Sequence, residues 1–234
     1  MKIGILQTGQ APEVLRASLG DYPAMFAHLL AGHGFEFQTW HVEGMEFPRN
    51  VEEADGWLIT GSRHGVYEDH AFIPPLEQFI RAALGAGRPV VGICFGHQIM
   101  AQALGGKVAK FAGGWAVGAQ RYQFGDTELA LNAWHQDQVI IPPEGAQTLA
   151  ANDFCAHAAL AYGAHGFSVQ AHPEFKDSFI QGLIETRGRG VVPDMLLDSA
   201  LARQGGPRDN DKIAARIAAH FKQHAPAHAG SEGQ

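Results

Sequence analysis

Apolar residues in this chain fall into short runs and helical stripes that alternate in a regular order. Lys2 to Leu6 is a brief apolar run giving way to Gln7, Thr8 and Gly9, the profile of a buried first strand. After Pro23 the residues Met25, Phe26, Leu29 and Leu30 recur at helical spacing, and Gly32 and Gly34 close the segment. Phe35 to Val42 alternates as a second strand, and Trp57 to Thr60 reads as a third, followed by a glycine-bearing loop from Gly61 to Gly65. Leu76, Phe79, Ile80 and Ala83 predict a helix from about Pro75 to Leu84, with Gly85 and Gly87 past its end. Pro89 to Ile93 is the next buried strand, and Gly96 to Leu104 the next amphipathic helix.

This order predicts an α/β fold, a three-layer sandwich with helices on both faces of a mostly parallel central sheet. From Lys107 to Gln170 the texture changes to alternating segments, among them Val117 to Phe124, Thr127 to Leu131 and Phe167 to Gln170, which predict short antiparallel strands joined to the same sheet. Helical spacing returns after His172 with Phe175, Phe179, Leu183 and Ile184, and again between Asp209 and Phe221 with Ile213, Ile217 and Phe221. There is no internal repeat and no long linker. A single domain is predicted over residues 1–224, comprising a core of about 2–187 and a C-terminal helical extension over 188–224, and the Ala/Gly/Ser/Pro-rich residues 225–234 predict a mobile tail.

Composition narrows the partners. With 46% hydrophobic and 18% charged residues the chain reads as an ordinary globular protein able to bury a core. A net charge of −7 and the lack of a basic patch with interleaved aromatics argue against nucleic acid. Apolar runs stay well short of the roughly 18 residues of a membrane span, and Met1 to Leu6 is too short for a signal-peptide core. The expectation is a cytoplasmic protein without a membrane partner, in which Cys94 and Cys155 are reduced thiols.

The segment richest in chemistry is Val90-Val91-Gly92-Ile93-Cys94-Phe95-Gly96-His97-Gln98, which puts a cysteine between two glycines where a buried strand turns into a helix. This is the pattern of a nucleophile elbow with Cys in place of Ser. Such a turn strains the central residue and presents its side chain at the end of the sheet, where the helix N-terminus favours thiolate over thiol. On spacing alone, a small buried core cysteine fits equally well. Downstream, Ala171-His172-Pro173-Glu174 supplies a base and an acid two residues apart. In an extended segment those side chains point the same way, so His172 can serve a thiol while Glu174 fixes the imidazole tautomer.

Gly92 to Gln98, together with Ala101-Gln102-Ala103-Leu104-Gly105-Gly106-Lys107-Val108, resembles the nucleophile region of class I glutamine amidotransferases, most of all the glutaminase domain of GMP synthetase. The segment at His172 resembles the family's His-x-Glu signature, and the likeness runs from Lys2 to about Arg187. The resemblance implies a flavodoxin-like sandwich with its site at the carboxyl ends of the parallel strands. It implies a Cys94, His172, Glu174 triad that cleaves the γ-glutamyl amide of glutamine through a glutamyl thioester, releasing ammonia. It further implies oxyanion donors in the backbone amides of Phe95 and of Gly61 or Ser62. The family carries Gly-Gly-Pro in that second loop, whereas this chain has Gly61-Ser62-Arg63-His64-Gly65. Gln98 matches a position that contacts glutamine, and Trp134-His135-Gln136-Asp137 resembles a Ser-His-Gly-Asp segment bordering the substrate, with Gln136 replacing the glycine.

The family's synthetase domain does not accompany these motifs, so two enzyme readings stand. One is an amidotransferase subunit passing ammonia to a synthetase partner. The other is a stand-alone γ-glutamyl peptidase, toward which the altered loop and the C-terminal extension lean. A non-catalytic binding protein retaining the fold is a third. Thirteen histidines are present, yet no metal-binding spacing occurs, and His64, Glu68, Asp69 and His70 read as polar loop residues. No phosphate-cradling or dinucleotide motif is present either, so no metal and no cofactor are expected.

Overall fold

The computed structural model describes residues 1–226, so of the expected mobile tail, residues 227–234 lie outside the described residues. A nine-stranded sheet runs in the order β2-β1-β3-β4-β11-β10-β9-β6-β7. Its first half is parallel, pairing β1 (Lys2–Leu6) with β2 (Glu36–Trp40) and β3 (Gly56–Ile59), β3 with β4 (Val90–Ile93), and β4 with β11 (Gly166–Val169). Its second half is antiparallel, through β10 (Ala159–Tyr162), β9 (Ala146–Ala151), β6 (Ala116–Phe124) and β7 (Thr127–His135). A separate antiparallel pair is formed by β5 (Lys107–Lys110) and β8 (Asp137–Ile141).

The helices cover both faces as their stripes predict. On one face Ile3, Ile5, Val91 and Ile93 pack with Phe26 of α2 (Tyr22–Leu29) and with Ile213, Ile217 and Phe221 of α7 (Asn210–Gln223). On the other, Leu6, Trp57, Ile59 and Val90 pack with Leu76 and Ile80 of α3 (Ile73–Gly85) and Ile99 and Met100 of α4 (Phe95–Ala103). The last helix is thus built into the main core rather than appended to it. Fully burying one such side chain stabilises the fold by about 1.5–3 kcal/mol. A third cluster joins Val117 of β6 to Phe179 and Ile180 of α5 (Asp177–Leu183) and to Leu197 of α6 (Asp194–Ala202).

The reading of Phe167 to Gln170 as an antiparallel strand of the same sheet holds on one side only. β11 is antiparallel to β10 but parallel to β4, completing the parallel half, and all four of its residues are buried. Continuous burial is the mark of a strand covered on both faces, whereas alternation belongs to one with a solvent face. Two further elements differ from expectation. The second strand ends at Trp40 and passes into a 3-10 turn, Val42–Gly44. α1 (Glu13–Leu19) has no fully buried residue and so offers no apolar stripe to read.

Candidate active site

Cys94 follows β4 directly and caps α4, with φ 53 and ψ −100, one of two non-glycine residues with positive φ among those described. Two close approaches hold it there. A Cβ on Gly92 would lie 2.3 Å from the Gly96 carbonyl oxygen, and one on Gly96 would lie 2.4 Å from that of Ile59. Glycine at both positions lets the helix start pack against the sheet, and the strain falls on Cys94.

β11 delivers the partners. The Cys94 amide donates to the Val169 carbonyl at 2.9 Å, so the chain leaving β11 runs beside the elbow. His172 Nδ1 meets Glu174 Oε1 at 2.7 Å, both side chains almost fully buried. This pair is made through a turn rather than an extended strand: the Phe175 amide closes on the His172 carbonyl at 3.3 Å, with Pro173 at the second turn position, which its fixed φ favours. The His172 amide is pinned to the Asn132 carbonyl of β7 at 2.8 Å. Asn132 is itself held by hydrogen bonds to Phe175 and Asp177 and from Arg208. The Phe175 ring stacks on the imidazole at 3.9 Å between centroids and 4° between planes.

Burial alone would depress the His172 pKa, but the nearby Cys94 sulfur and the Glu174 carboxylate hydrogen-bonded to the ring outweigh it and raise it to about 10. The stabilisation gained by this imidazolium is therefore complete below about pH 6.5, its unfolded value, and is lost as pH rises through about 10. NMR titration of the His172 ring should show an imidazolium through pH 8. In Cys94→Ala, with one anion gone and burial unchanged, the midpoint should fall. A wild-type midpoint at or below 6.5 would rule out the charged pair.

The remaining candidates surround one cavity of about 320 Å³, lined by Cys94, His172, Gln98, Ser62, Trp134 and His135 among others. That volume is at the lower end of the roughly 300–1,000 Å³ common for small-molecule sites. Gly61 sits against the pair, since a Cβ there would lie 3.0 Å from His172 Cε1 and 3.9 Å from Cys94 Cβ. The Thr8 and Thr60 hydroxyls both donate to the Gly61 carbonyl at 3.1 Å. Across the trans peptide the Ser62 amide points the opposite way. Phe95 contributes the first amide of α4, a position helices leave without an internal partner.

Gln98 reaches the cavity with its amide nitrogen already committed to the Asp137 carbonyl (2.8 Å) and Gln170 Oε1 (3.2 Å). His135 is buried, and that burial, followed by the nearby His172, lowers its pKa to about 3. A neutral ring paired through Nδ1 with the Asp137 carbonyl leaves Nε2 as an acceptor, and that atom has no protein partner among the described residues. Cys155 is a buried thiol whose pKa burial pushes up to about 12, in keeping with a structural role.

Several residues at or near the cavity escaped the sequence reading. Gln170 Nε2 approaches Cys94 Sγ at 3.7 Å. Its place two residues before His172 is the signal that could have found it. Tyr22, Trp115 and Arg187 reach the cavity from distant parts of the chain, and no local pattern announces them.

A strained cysteine beside a buried imidazole–carboxylate pair, at the carboxyl ends of parallel strands, is an arrangement suited to nucleophilic acyl chemistry. Residues 19–181 match the family model "Glutamine amidotransferase class-I", and the chain belongs to that family. It is 29% identical over 190 residues to gamma-glutamyl peptidase 3 of Arabidopsis thaliana, covering 74% of this chain and 76% of that protein. It is 31% identical over 169 residues to the glutamine-hydrolyzing GMP synthase of Vibrio campbellii, covering 66% of this chain but 31% of that protein. The crystal structure of a glutamine amido transferase from Methylobacillus flagellatus superposes with a TM-score of 0.78 at 20% identity, covering 100% of this chain and 98% of that one. Among the described residues no helix is long and apolar enough to cross a membrane.

Proposed function

We propose that this protein is a hydrolase of γ-glutamyl amide bonds acting on γ-glutamyl peptides or conjugates, with Cys94 as nucleophile, His172 as acid and base, and Glu174 as the group that orients and charges His172. The observation that carries this reading is the buried 2.7 Å His172–Glu174 pair set against a cysteine on a strained elbow. The thiolate attacks the γ-carbonyl, the amides of Phe95 and of Ser62 or Gly61 stabilise the oxyanion, and imidazolium protonates the departing amine. Water then attacks the glutamyl thioester, with His172 taking its proton. Gln170 steadies the thiolate, and Gln98, Trp134 and His135 form the wall against which the glutamyl group lies. One oxyanion donor is typically worth about 3–4 kcal/mol in the transition state.

A peptide leaving group rather than ammonia is supported by the room beside the thiol. A second cavity of about 280 Å³ shares Arg63 and Arg187 with the first, so the two adjoin there. Two guanidiniums at the junction suit substrates bearing carboxylates at both ends. Similarity to gamma-glutamyl peptidase 3 over 74% of this chain points the same way. The second reading, a subunit supplying ammonia to a synthetase, rests on the likeness to that GMP synthase.

Assay of the isolated protein on glutamine and on γ-glutamyl dipeptides or glutathione separates the two. Peptide cleavage should exceed glutamine hydrolysis in kcat/KM by at least about tenfold, a difference of about 1.4 kcal/mol in the transition state. Glutaminase activity equal or greater, or appearing only with an added synthetase, would favour the subunit.

A further inference from the structure

We propose that His64, Glu68 and His70 form a binding site for a divalent transition-metal ion of the zinc class, with Glu43 as the outer carboxylate that orients His64. The sequence reading expects no metal because this spacing matches no metal motif; folding of the loop after β3 creates the cluster. The three side chains offer ligand atoms that all lie within 4.8 Å of one another. Glu68 Oε2 is 2.8 Å from His70 Nε2 and 3.7 Å from His64 Nδ1. Ligands bonded to zinc at about 2.0–2.2 Å in a tetrahedron stand roughly 3.4 Å apart, so these spacings bracket the required value.

The second observation concerns the other nitrogen of His64. Its Nε2 lies 2.9 Å from Glu43 Oε1, a residue from a different segment of the chain. A carboxylate accepting the Nε2 proton fixes the tautomer whose Nδ1 lone pair faces Glu68, as outer carboxylates do for metal-ligating histidines. Two imidazoles and one carboxylate suit zinc and its neighbours better than calcium or magnesium, and three protein ligands leave one position for water or a substrate carboxylate. His64 and Glu68 line the cavity that holds Cys94, and Glu43 lines the adjoining one, so the ion would sit on the wall between them.

The test uses the untagged full chain carrying Cys94→Ala, which removes the thiolate as a competing ligand and makes the measurement independent of turnover. Calorimetric titration with ZnCl2 should give one site, and Co2+ should develop the intense visible absorption of a four-coordinate centre. His70→Gln should weaken Zn2+ binding by more than about 100-fold, and Glu43→Gln by about 10- to 100-fold, with unchanged circular dichroism. In the otherwise wild-type chain His70→Gln should keep metal-free turnover. No binding heat, or an affinity unchanged in both His70→Gln and Glu43→Gln, would overturn the site and leave a hydrogen-bonded chain of histidines and carboxylates only.

Discussion

Replacing Cys94 with alanine should lower kcat on a γ-glutamyl substrate by at least about 10⁴-fold, or more than about 5 kcal/mol of transition-state stabilisation. The protein should remain folded. Alanine at this position keeps the strained φ, so the elbow still costs what it did, while the lost sulfur is a small part of a large core. The expected result is therefore a stable, inert protein that still binds substrate. Iodoacetamide near neutral pH should label Cys94 and leave the buried Cys155 unmodified, since burial holds that thiol protonated. Full activity in Cys94→Ala would end the proposed mechanism, and equal labelling of both cysteines would favour a non-catalytic protein that retains the fold.

Glu174→Gln should lower kcat by about 10³- to 10⁴-fold through a different physical route. The carboxylate accepts from His172 Nδ1, so the ring's other nitrogen faces the thiol. An amide can donate as well as accept, which permits the opposite tautomer, and it removes one of the two anions that hold the imidazolium against burial. The fold should stay intact but lose stability, because a buried imidazolium loses the carboxylate that holds its charge. Turnover and melting temperature measured together check this: lost rate with a lower Tm in a folded protein is expected, and wild-type rates would show that the orienter is misassigned.

What could be read from the sequence was the part where chemistry and backbone constraint coincide. Gly92, Cys94 and Gly96 are legible because only glycine fits the two close approaches, and His172 with Glu174 because they stand two residues apart, although a turn rather than an extended strand brings them together. The helices α3, α4 and α7 were legible through their apolar stripes, to within two residues at each end. Illegible were features that depend on which strands become neighbours. β11 carried no mark of its parallel partner, because β4 lies more than 70 residues earlier. Arg187 and Tyr22 line the same cavity although 165 positions separate them, and Trp115, next to β6, comes near Trp134 through the β6–β7 pairing. The cluster at His64 depends on Glu43, brought in from beyond β3.

The adjacency of β4 and β11 also bears on how such a site can diversify. Cys94 and His172 follow one pair of hydrogen-bonded strands, while the chain from β5 to β10 is inserted between them, adds four strands to the far side of the same sheet and touches His172 through the Asn132 carbonyl of β7. That insertion furnishes Lys110, Trp115, Trp134 and His135 to the cavity. Residues that break the bond and residues that judge what is attached to it thus belong to different pieces of chain. Substitutions at Lys110, Trp115 or Trp134 would change the clientele while the bond-breaking pair kept its spacing.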